Sequence, residues 1–447
     1  MTEYWKRSRV TKALTDSGRA QSFEEAERRL DGVQVEVVVG ADQANTAAGQ
    51  AAALTAVATS KKCFGYVRLI APDVPIIASL PLGKTLIDAG RTLGAEIRNE
   101  NGATATHSIC IGDCDIVGGW KIHCWWDRWL SGARAFDNEA GDSRLALSGI
   151  YSAALAVRQV FACAVAGRTI PARDASVSLW SPWCPVDGAD RGPDRFDVPD
   201  KVWILGLGHL GQAFVWNLCF LGGAEKRRAI LQDDQPIAEE NEATSLLVLP
   251  GQELGTKKVR VADPWLKAGG WETDLIERRH RGDLVLTNDD PPYLLCGLDD
   301  VKPRLLLARH GFPYMIDAGI GHGAGDFEKI QIRTIANGQP VAGLWESGDH
   351  RPSVNSRIDK LFERTAYGEL EHRVGQCGKL RFAEASVAVP FVGAATGAVA
   401  VAQLVRLSSL RDTPLIMQME LSAPEMTTVG GFVPSPETNL GSYSVQL

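Results

Sequence analysis

Residues 202–212 read Val202-Trp203-Ile204-Leu205-Gly206-Leu207-Gly208-His209-Leu210-Gly211-Gln212, an apolar strand running directly into Gly-x-Gly-x-x-Gly. Each glycine has a physical task. Gly206 permits a tight turn, Gly208 lets backbone approach a phosphate, and Gly211 lets the next helix pack on the strand. The N-terminal N–H groups of that helix then favour an anion. The motif marks a nucleotide site and leaves the reaction open.

The polar residues that follow narrow the chemistry. They sit in Leu231-Gln232-Asp233-Asp234-Gln235-Pro236-Ile237-Ala238-Glu239-Glu240-Asn241, in Leu254-Gly255-Thr256-Lys257-Lys258-Val259 and in Asp283-Leu284-Val285-Leu286-Thr287-Asn288-Asp289-Asp290. With these segments behind the glycines, residues 200–330 and a patch at 377–406 resemble the ThiF/MoeB/HesA superfamily of adenylating enzymes, which includes the ubiquitin-activating enzymes. That resemblance implies ATP and Mg²⁺ as cofactors and a role for each position. Asp233 takes the ribose hydroxyls, or else caps a turn. Lys257 offers a point charge to the phosphates, with Lys258 beside it as the solvated neighbour. Asn241 reaches a phosphate oxygen or caps a helix. Asp290 holds Mg²⁺, a hard cation that wants oxygen ligands, with Asp289 as its competitor.

Two departures from the family pattern stand out: Gln235 replaces the second acid, and Thr244 replaces an arginine. Active homodimers of the family also receive an arginine from the partner's N-terminal helix. Here Tyr4-Trp5-Lys6-Arg7-Ser8-Arg9 is the corresponding piece, with Arg7 and Arg9 as candidates and a solvated basic face as the alternative.

Cys377 lies in Val374-Gly375-Gln376-Cys377-Gly378-Lys379, read as an exposed loop ahead of the helix entry at Val389-Pro390. The resemblance makes it the thioester nucleophile, with Arg373 and Lys379 placed to favour the thiolate; the competing reading is an inert thiol. Cys296 and Cys219 read as core. His209 is a loop residue of open role, and His310 and His322 are not at metal-ligand spacing.

The elements that must position these groups form two halves. In the second half, strands at 202–206, 228–231, 284–287 and 314–317 alternate with a helix near 209–221, which predicts a parallel doubly wound sheet. A small-residue helix follows at 391–404. The first half repeats the plan more faintly: strands at 35–40, 66–70 and 108–112, an Ala-rich helix at 47–58 and a small-residue helix at 149–161. It lacks the glycine motif, having Gly40-Ala41-Asp42-Gln43-Ala44-Asn45 instead. The fold class is therefore α/β, with two Rossmann-like doubly wound domains. Residues 1–180 form a degenerate, inactive adenylation-like domain and 181–447 an active ThiF-type domain. The Pro- and Gly-rich stretch 171–200 reads as the linker.

The bulk numbers agree with a folded catalyst. The chain has 447 residues, 45% of them apolar and 23% charged, enough for an ample core. A net charge of −7 speaks for neither a nucleic-acid nor a membrane partner. No apolar run approaches the roughly 18 residues of a membrane span. No signal-like N-terminus is present and the nine cysteines are scattered, so a cytoplasmic setting is expected.

The expected function is ATP-dependent activation of the C-terminus of a ubiquitin-like protein, then capture on Cys377 and transfer to a conjugating-type enzyme. The chain would work as a pseudo-dimer or a homodimer. The alternatives are a sulfur-carrier adenylyltransferase, a scaffold that binds a ubiquitin-like partner without turnover, and a nicotinamide dehydrogenase. The dehydrogenase leaves Asn241, Lys257 and Asp290 unexplained.

Overall fold

Val35-Glu36-Val37-Val38-Val39 and Lys201-Val202-Trp203-Ile204-Leu205 are β-rich five-residue runs, and each becomes an interior strand of its own sheet. The structure, a computed structural model, describes residues 7–98, 105–116, 119–137, 139–188, 190–222, 226–345 and 354–447. Tyr4, Trp5 and Lys6 of the basic N-terminal segment lie outside the described residues.

The strands are β1 (Val35–Val39), β2 (Val67–Ile70), β3 (Glu96–Ile97), β4 (His107–Ile111), β5 (Trp120–Asp127), β6 (Leu130–Arg134), β7 (Ala175–Ser178), β8 (Arg195–Pro199), β9 (Lys201–Leu205), β10 (Arg227–Gln232), β11 (Trp271–Ile276), β12 (Tyr293–Cys296), β13 (Tyr314–Ile320), β14 (Lys329–Ala336), β15 (Thr413–Glu420), β16 (Thr428–Val433) and β17 (Ser442–Gln446). The principal helices are α1 (Ser8–Thr15), α2 (Phe23–Asp31), α3 (Ala47–Phe64), α4 (Ala146–Ala166), α5 (His209–Cys219), α6 (Lys258–Ala268), α7 (Val301–Leu307), α8 (Thr365–Glu384) and α9 (Pro390–Ser408).

The first sheet runs β3-β2-β1-β4-β5-β6-β7 and the second β11-β10-β9-β12-β13-β14-β15-β16. Both are parallel through their first five strands and antiparallel thereafter. Over seven strands the two have one topology, β16 being an addition to the second, with a small-residue helix at the same place in each, α4 between β6 and β7 and α9 between β14 and β15. The internal repetition is thus a property of the fold. The antiparallel extension is an addition to the all-parallel sheet the sequence suggested.

Two expectations are corrected. Residues 284–287 are not a strand; the strand beside β9 is β12. An inner parallel strand is covered on both faces and needs a continuous apolar run. Tyr293-Leu294-Leu295-Cys296 is buried throughout, whereas Val285 in the rival segment is 83% exposed. The supposed linker 171–200 likewise contains two strands: β7 completes the first sheet and β8 pairs with β17. Pairing outweighs a Pro- and Gly-rich composition there.

Small residues let the long helices approach closely. A Cβ on Gly149 of α4 would stand 2.0 Å from the Ala48 carbonyl oxygen of α3, and one on Gly397 of α9 would stand 2.7 Å from the Ala213 carbonyl oxygen of α5. Helices α4 and α9 also pack on each other, so one hydrophobic core runs through both halves. Arg158 joins Glu328 at 2.9 Å, and Trp216 Nε1 donates to Thr55 Oγ1 at 3.0 Å across the same seam. Although no uninterrupted apolar run is long, α4 and α9 have the length and hydropathy of a membrane span; windows of them are 78% and 94% buried inside the fold.

Candidate nucleotide site

Parallel register fixes where the strands of the second sheet end. Leu205 lies opposite Gln232 and Cys296, and Gln232 lies opposite Ile276, so β9, β10, β11 and β12 finish in one row. Ligands of open α/β sheets bind beyond such carboxyl ends. The glycines occupy the turn after β9. Gly206 has φ 85°, and a Cβ there would stand 3.0 Å from the Gly297 carbonyl carbon. Gly211 seats α5, since a Cβ would come within 1.8 Å of the Gly206 carbonyl oxygen. Nothing stands within 4 Å of the place a Cβ on Gly208 would take, and Gly208 starts α5 without a side-chain cap. The turn therefore faces open space with uncapped N–H groups.

That space is a cavity of about 450 Å³, and Gly206, Gly208, Asp233 and Asn241 line it. Asp233 follows β10 and ties two turns together: its Oδ2 accepts Leu207 N–H at 2.6 Å and its Oδ1 accepts Gln235 N–H at 2.7 Å. Asn241 is buried and its Oδ1 accepts Ala238 N–H at 2.9 Å, which holds the 234–241 loop against the cavity.

Of the two adjacent lysines, Lys258 lines the cavity and Lys257 does not; Lys302 lines it too. Lys257 precedes α6, pairs with Pro236 in an isolated bridge, and its Nζ donates to the Asp234 carbonyl at 2.6 Å. Lys258 opens the helix, is 6% exposed, and reaches Gln235 Oε1 at 2.7 Å. Gln235, which replaces an acid of the family pattern, thus holds this lysine. Burial pulls Lys258 below the usual lysine range, opposed chiefly by the Asp233 carboxylate.

Asp290 is also displaced from the expected role. Its Oδ2 accepts the Thr287 backbone N–H at 2.8 Å and the Thr287 hydroxyl at 2.9 Å in a local turn, and it does not line the cavity. Asp299 and Asp300, which follow β12, line the cavity together with Asp233 and Asp234; Asp300 also caps α7 through Lys302 N–H at 3.1 Å. A signal for them was present, because they trail a continuous apolar run just as Asp233 does.

A cation also arrives from the other half. Arg9 of α1 lines the cavity, donates from Nε to the Ser386 carbonyl at 2.9 Å and bonds the Ser386 hydroxyl. Burial lowers its pKa, while Glu240 and Asp299 oppose that. Arg7 is elsewhere, paired with Glu27 and Asp31. Thr244, where the family pattern has an arginine, is fully buried. Arg9 and Lys258 thus join Arg278, Arg279, Lys302 and Arg304 in a wall rich in positive charge.

Cys377 is the one exposed cysteine of the nine. It lies in α8 just past a break at Gly375 (φ 69°, ψ 175°), not in a loop, and outside the cavity. The cations beside it are engaged: Arg373 with Glu24, and Lys379 with Glu371 at 2.8 Å. Cys296 and Cys219 are buried in the core, as read.

His209 carries a pH dependence. Its Nδ1 lies 2.5 Å from the Thr244 carbonyl, so the ring proton sits on Nδ1, and Nε2 is buried without a partner. Burial pushes this histidine down to about 4. An unfolded chain binds that proton at about 6.5. Between those values the unfolded state takes up a proton that the folded state refuses, so stability falls as pH drops from about 6.5 to about 4, by at most about 3 kcal/mol. His209→Gln should lose less stability than the parent over that range in urea melts; equal losses would refute the assignment.

Comparison with known proteins follows the same division of the chain. The model of the BilD N-terminal domain matches residues 34–180 and that of the BilD C-terminal domain residues 198–410. The bacterial E1-like protein BilD of Collimonas sp. (strain OK412) is 30% identical over 417 residues, covering 89% of this chain and 87% of that protein. The chain belongs to the BilD family of bacterial E1-like proteins. The BilD N-terminal match spans the first sheet, and the C-terminal match runs from β9 through α9. Among solved structures, E. coli MccB with its MccA peptide overlaps 54% of this chain and 66% of its own at 14% identity, with a TM-score of 0.34. PaaA overlaps 55% of this chain and 63% of its own, at 14% identity and a TM-score of 0.31. At that distance neither overlap informs the site.

The first half differs from the second at the same turn. Asp42 is the third residue after β1, as Gly208 is the third after β9, and its Oδ1 accepts Asp113 N–H at 3.0 Å.

Proposed function

We propose that this BilD-family chain activates the C-terminal carboxylate of a ubiquitin-like protein with Mg-ATP, in the manner of the ThiF/MoeB enzymes. The observation that carries the reading is the convergence of Lys258, Arg9 from the other half, and the Asp299–Asp300 pair on one glycine-lined cavity. A partner carboxylate oxygen attacks the α-phosphorus, the α–β bridging bond breaks, and pyrophosphate leaves with the electron pair. Such transfer is catalysed by positioning and by neutralising phosphate charge. Lys258 and Arg9 offer that charge, and Asp233 suits the ribose hydroxyls. Asp299 and Asp300 fit Mg²⁺, which takes one or two protein carboxylates and completes its shell with water and phosphate oxygens. When bound, the ion adds charge neutralisation at the phosphates.

The second step of the proposal is attack of the Cys377 thiolate on the acyl-adenylate, giving a thioester and AMP, with a conjugating-type enzyme as acceptor. One chain supplies both halves of the pseudo-dimer, and a reducing cytoplasm keeps Cys377 free.

The experiment is pyrophosphate exchange with ATP and a ubiquitin-like protein that ends in glycine. Exchange is expected, and it should fall in the Asp299→Asn/Asp300→Asn double variant but not in Asp290→Asn. Absence of exchange with every candidate partner would leave the scaffold reading. A reductant-sensitive adduct with the partner is expected for the parent and not for Cys377→Ala. Exchange without any adduct would favour a sulfur-carrier type of adenylyltransferase.

A further inference from the structure

We infer that Lys12 is a positioning residue for Cys377: it clasps the two segments of α8 that meet at the Gly375 break, and so fixes where the thiol stands. The inference rests on the proposal that Cys377 accepts the acyl group.

Lys12 lies on α1, three residues past Arg9 and so on the same side of that helix. It is 1% exposed, and a charge that deep is seldom found without partners. An ammonium has three N–H bonds to give. Three oxygens meet this one: the Tyr367 hydroxyl at 2.7 Å, the Phe382 carbonyl at 2.9 Å and Asp16 Oδ2 at 3.0 Å. The Tyr367 hydroxyl in turn donates to Asp16 Oδ1 at 2.8 Å. The rings of Tyr367 and Phe382 flank the ammonium, with centroids 5.4 and 5.5 Å from Nζ.

Tyr367 and Phe382 stand on opposite sides of Gly375, where α8 leaves helical geometry. Lys12 therefore holds both segments at once. The Phe382 carbonyl belongs to the last turn of α8, where carbonyls lack partners within the helix and a cation suits the negative end of the dipole. Cys377 lies five residues before Phe382 in the same segment, about 7.5 Å along its axis. Fixing Phe382 thus fixes the thiol. Arg381, one turn past Cys377 and on its face, lines a recess of about 40 Å³ together with Arg9 and Lys12. The side of α8 that carries the thiol is turned toward that recess.

Packing leaves this decision to Lys12. Val10, Ala13 and Leu14 root α1 in the main core, whereas Tyr367, Leu370 and Phe382 belong to a separate small cluster with Phe23 of α2. Loss of the ammonium should loosen α8 and leave α1, with Arg9 on Ser386, in place.

Three measurements on the full chain test the inference: hydrogen exchange read by mass spectrometry, and pyrophosphate exchange and adduct formation with a ubiquitin-like protein that ends in glycine. Lys12→Met keeps the apolar stem and removes the charge. Its amides at 376–384 should exchange at least about tenfold faster than the parent's, the range of one hydrogen bond to a charged group, while α4 and α9 stay protected. The reductant-sensitive adduct should form about tenfold more slowly, and pyrophosphate exchange should change by no more than about threefold. Lys12→Arg returns a cation to the Phe382 carbonyl and should recover part of the adduct rate. If Lys12→Met does not fold, Tyr367→Phe carries the test, since it removes one partner and keeps the ring; smaller changes in the same sense are expected. Parental hydrogen exchange at 376–384 or a parental adduct rate in the folded variant overturns the inference. So does an equal loss of adduct and pyrophosphate exchange, which would mark a general defect. A parent that forms no adduct overturns the thioester step, and this inference with it.

Discussion

Lys258→Ala should lower ATP–pyrophosphate exchange by about 30–150-fold, while Lys257→Ala should change it by no more than about threefold. A hydrogen bond to a charged group contributes about 2–3 kcal/mol, and each 1.36 kcal/mol is tenfold in rate. Of the two adjacent lysines, only Lys258 combines burial with a place in the cavity wall. Its Nζ rests on a neutral amide at 2.7 Å, so a phosphate that replaces Gln235 gains an ion pair in a desolvated setting. Lys257 spends its charge on the Asp234 carbonyl at the rim. Its loss should loosen that turn rather than the transition state. A steady-state comparison of the two variants decides the matter, and the reverse order of effects would return the role to Lys257.

Arg9→Ala should cost about 100-fold in the same assay, the size seen when one preorganised donor is removed from a water-poor site. The guanidinium is held by the Ser386 carbonyl and hydroxyl, and it faces Glu240 and Asp299. Those anions oppose the lowering of its pKa by burial, and Thr244 leaves no arginine on the second half's own loop. Arg9→Lys should recover only part of the rate, since an ammonium cannot hold Ser386 with two nitrogens at once and still reach a phosphate. Arg7→Ala is the control. It breaks pairs with Glu27 and Asp31 outside the glycine-lined cavity, so exchange should persist even if the melting temperature falls. Equal activity of parent and Arg9→Ala would remove the first half from the chemistry.

The glycine turn was legible because backbone sterics leave few residues able to make it. Gly206 and Gly211 stand against each other at distances a methyl group would close. Repeated small-residue helices were legible for a related reason: close helix approach restricts composition. Asp233 and Asn241 were placed because they follow a strand whose apolar run is unmistakable. The apolar run Leu284, Val285 and Leu286 looks like a strand, but the inner strand had to be buried on both faces, and Tyr293–Cys296 is the segment that meets this and carries Asp299 and Asp300 to the cavity. Lys257 and Lys258 differ by one step of helical phase, which depends on where α6 begins. Arg9 and Arg7 were both candidates from the sequence, and only the three-dimensional meeting of the halves separates them, placing Arg9 in the cavity wall and Arg7 on Glu27 and Asp31.

The continuous core around α4 and α9 has a consequence for stoichiometry. Two separate subunits of like fold exchange freely and can build two working centres in one assembly. Here the two like halves share one continuous core, sealed along a seam of alanine and glycine. On the proposed function, one bound nucleotide per chain is the expected saturation point, and equilibrium dialysis that finds two would refute it.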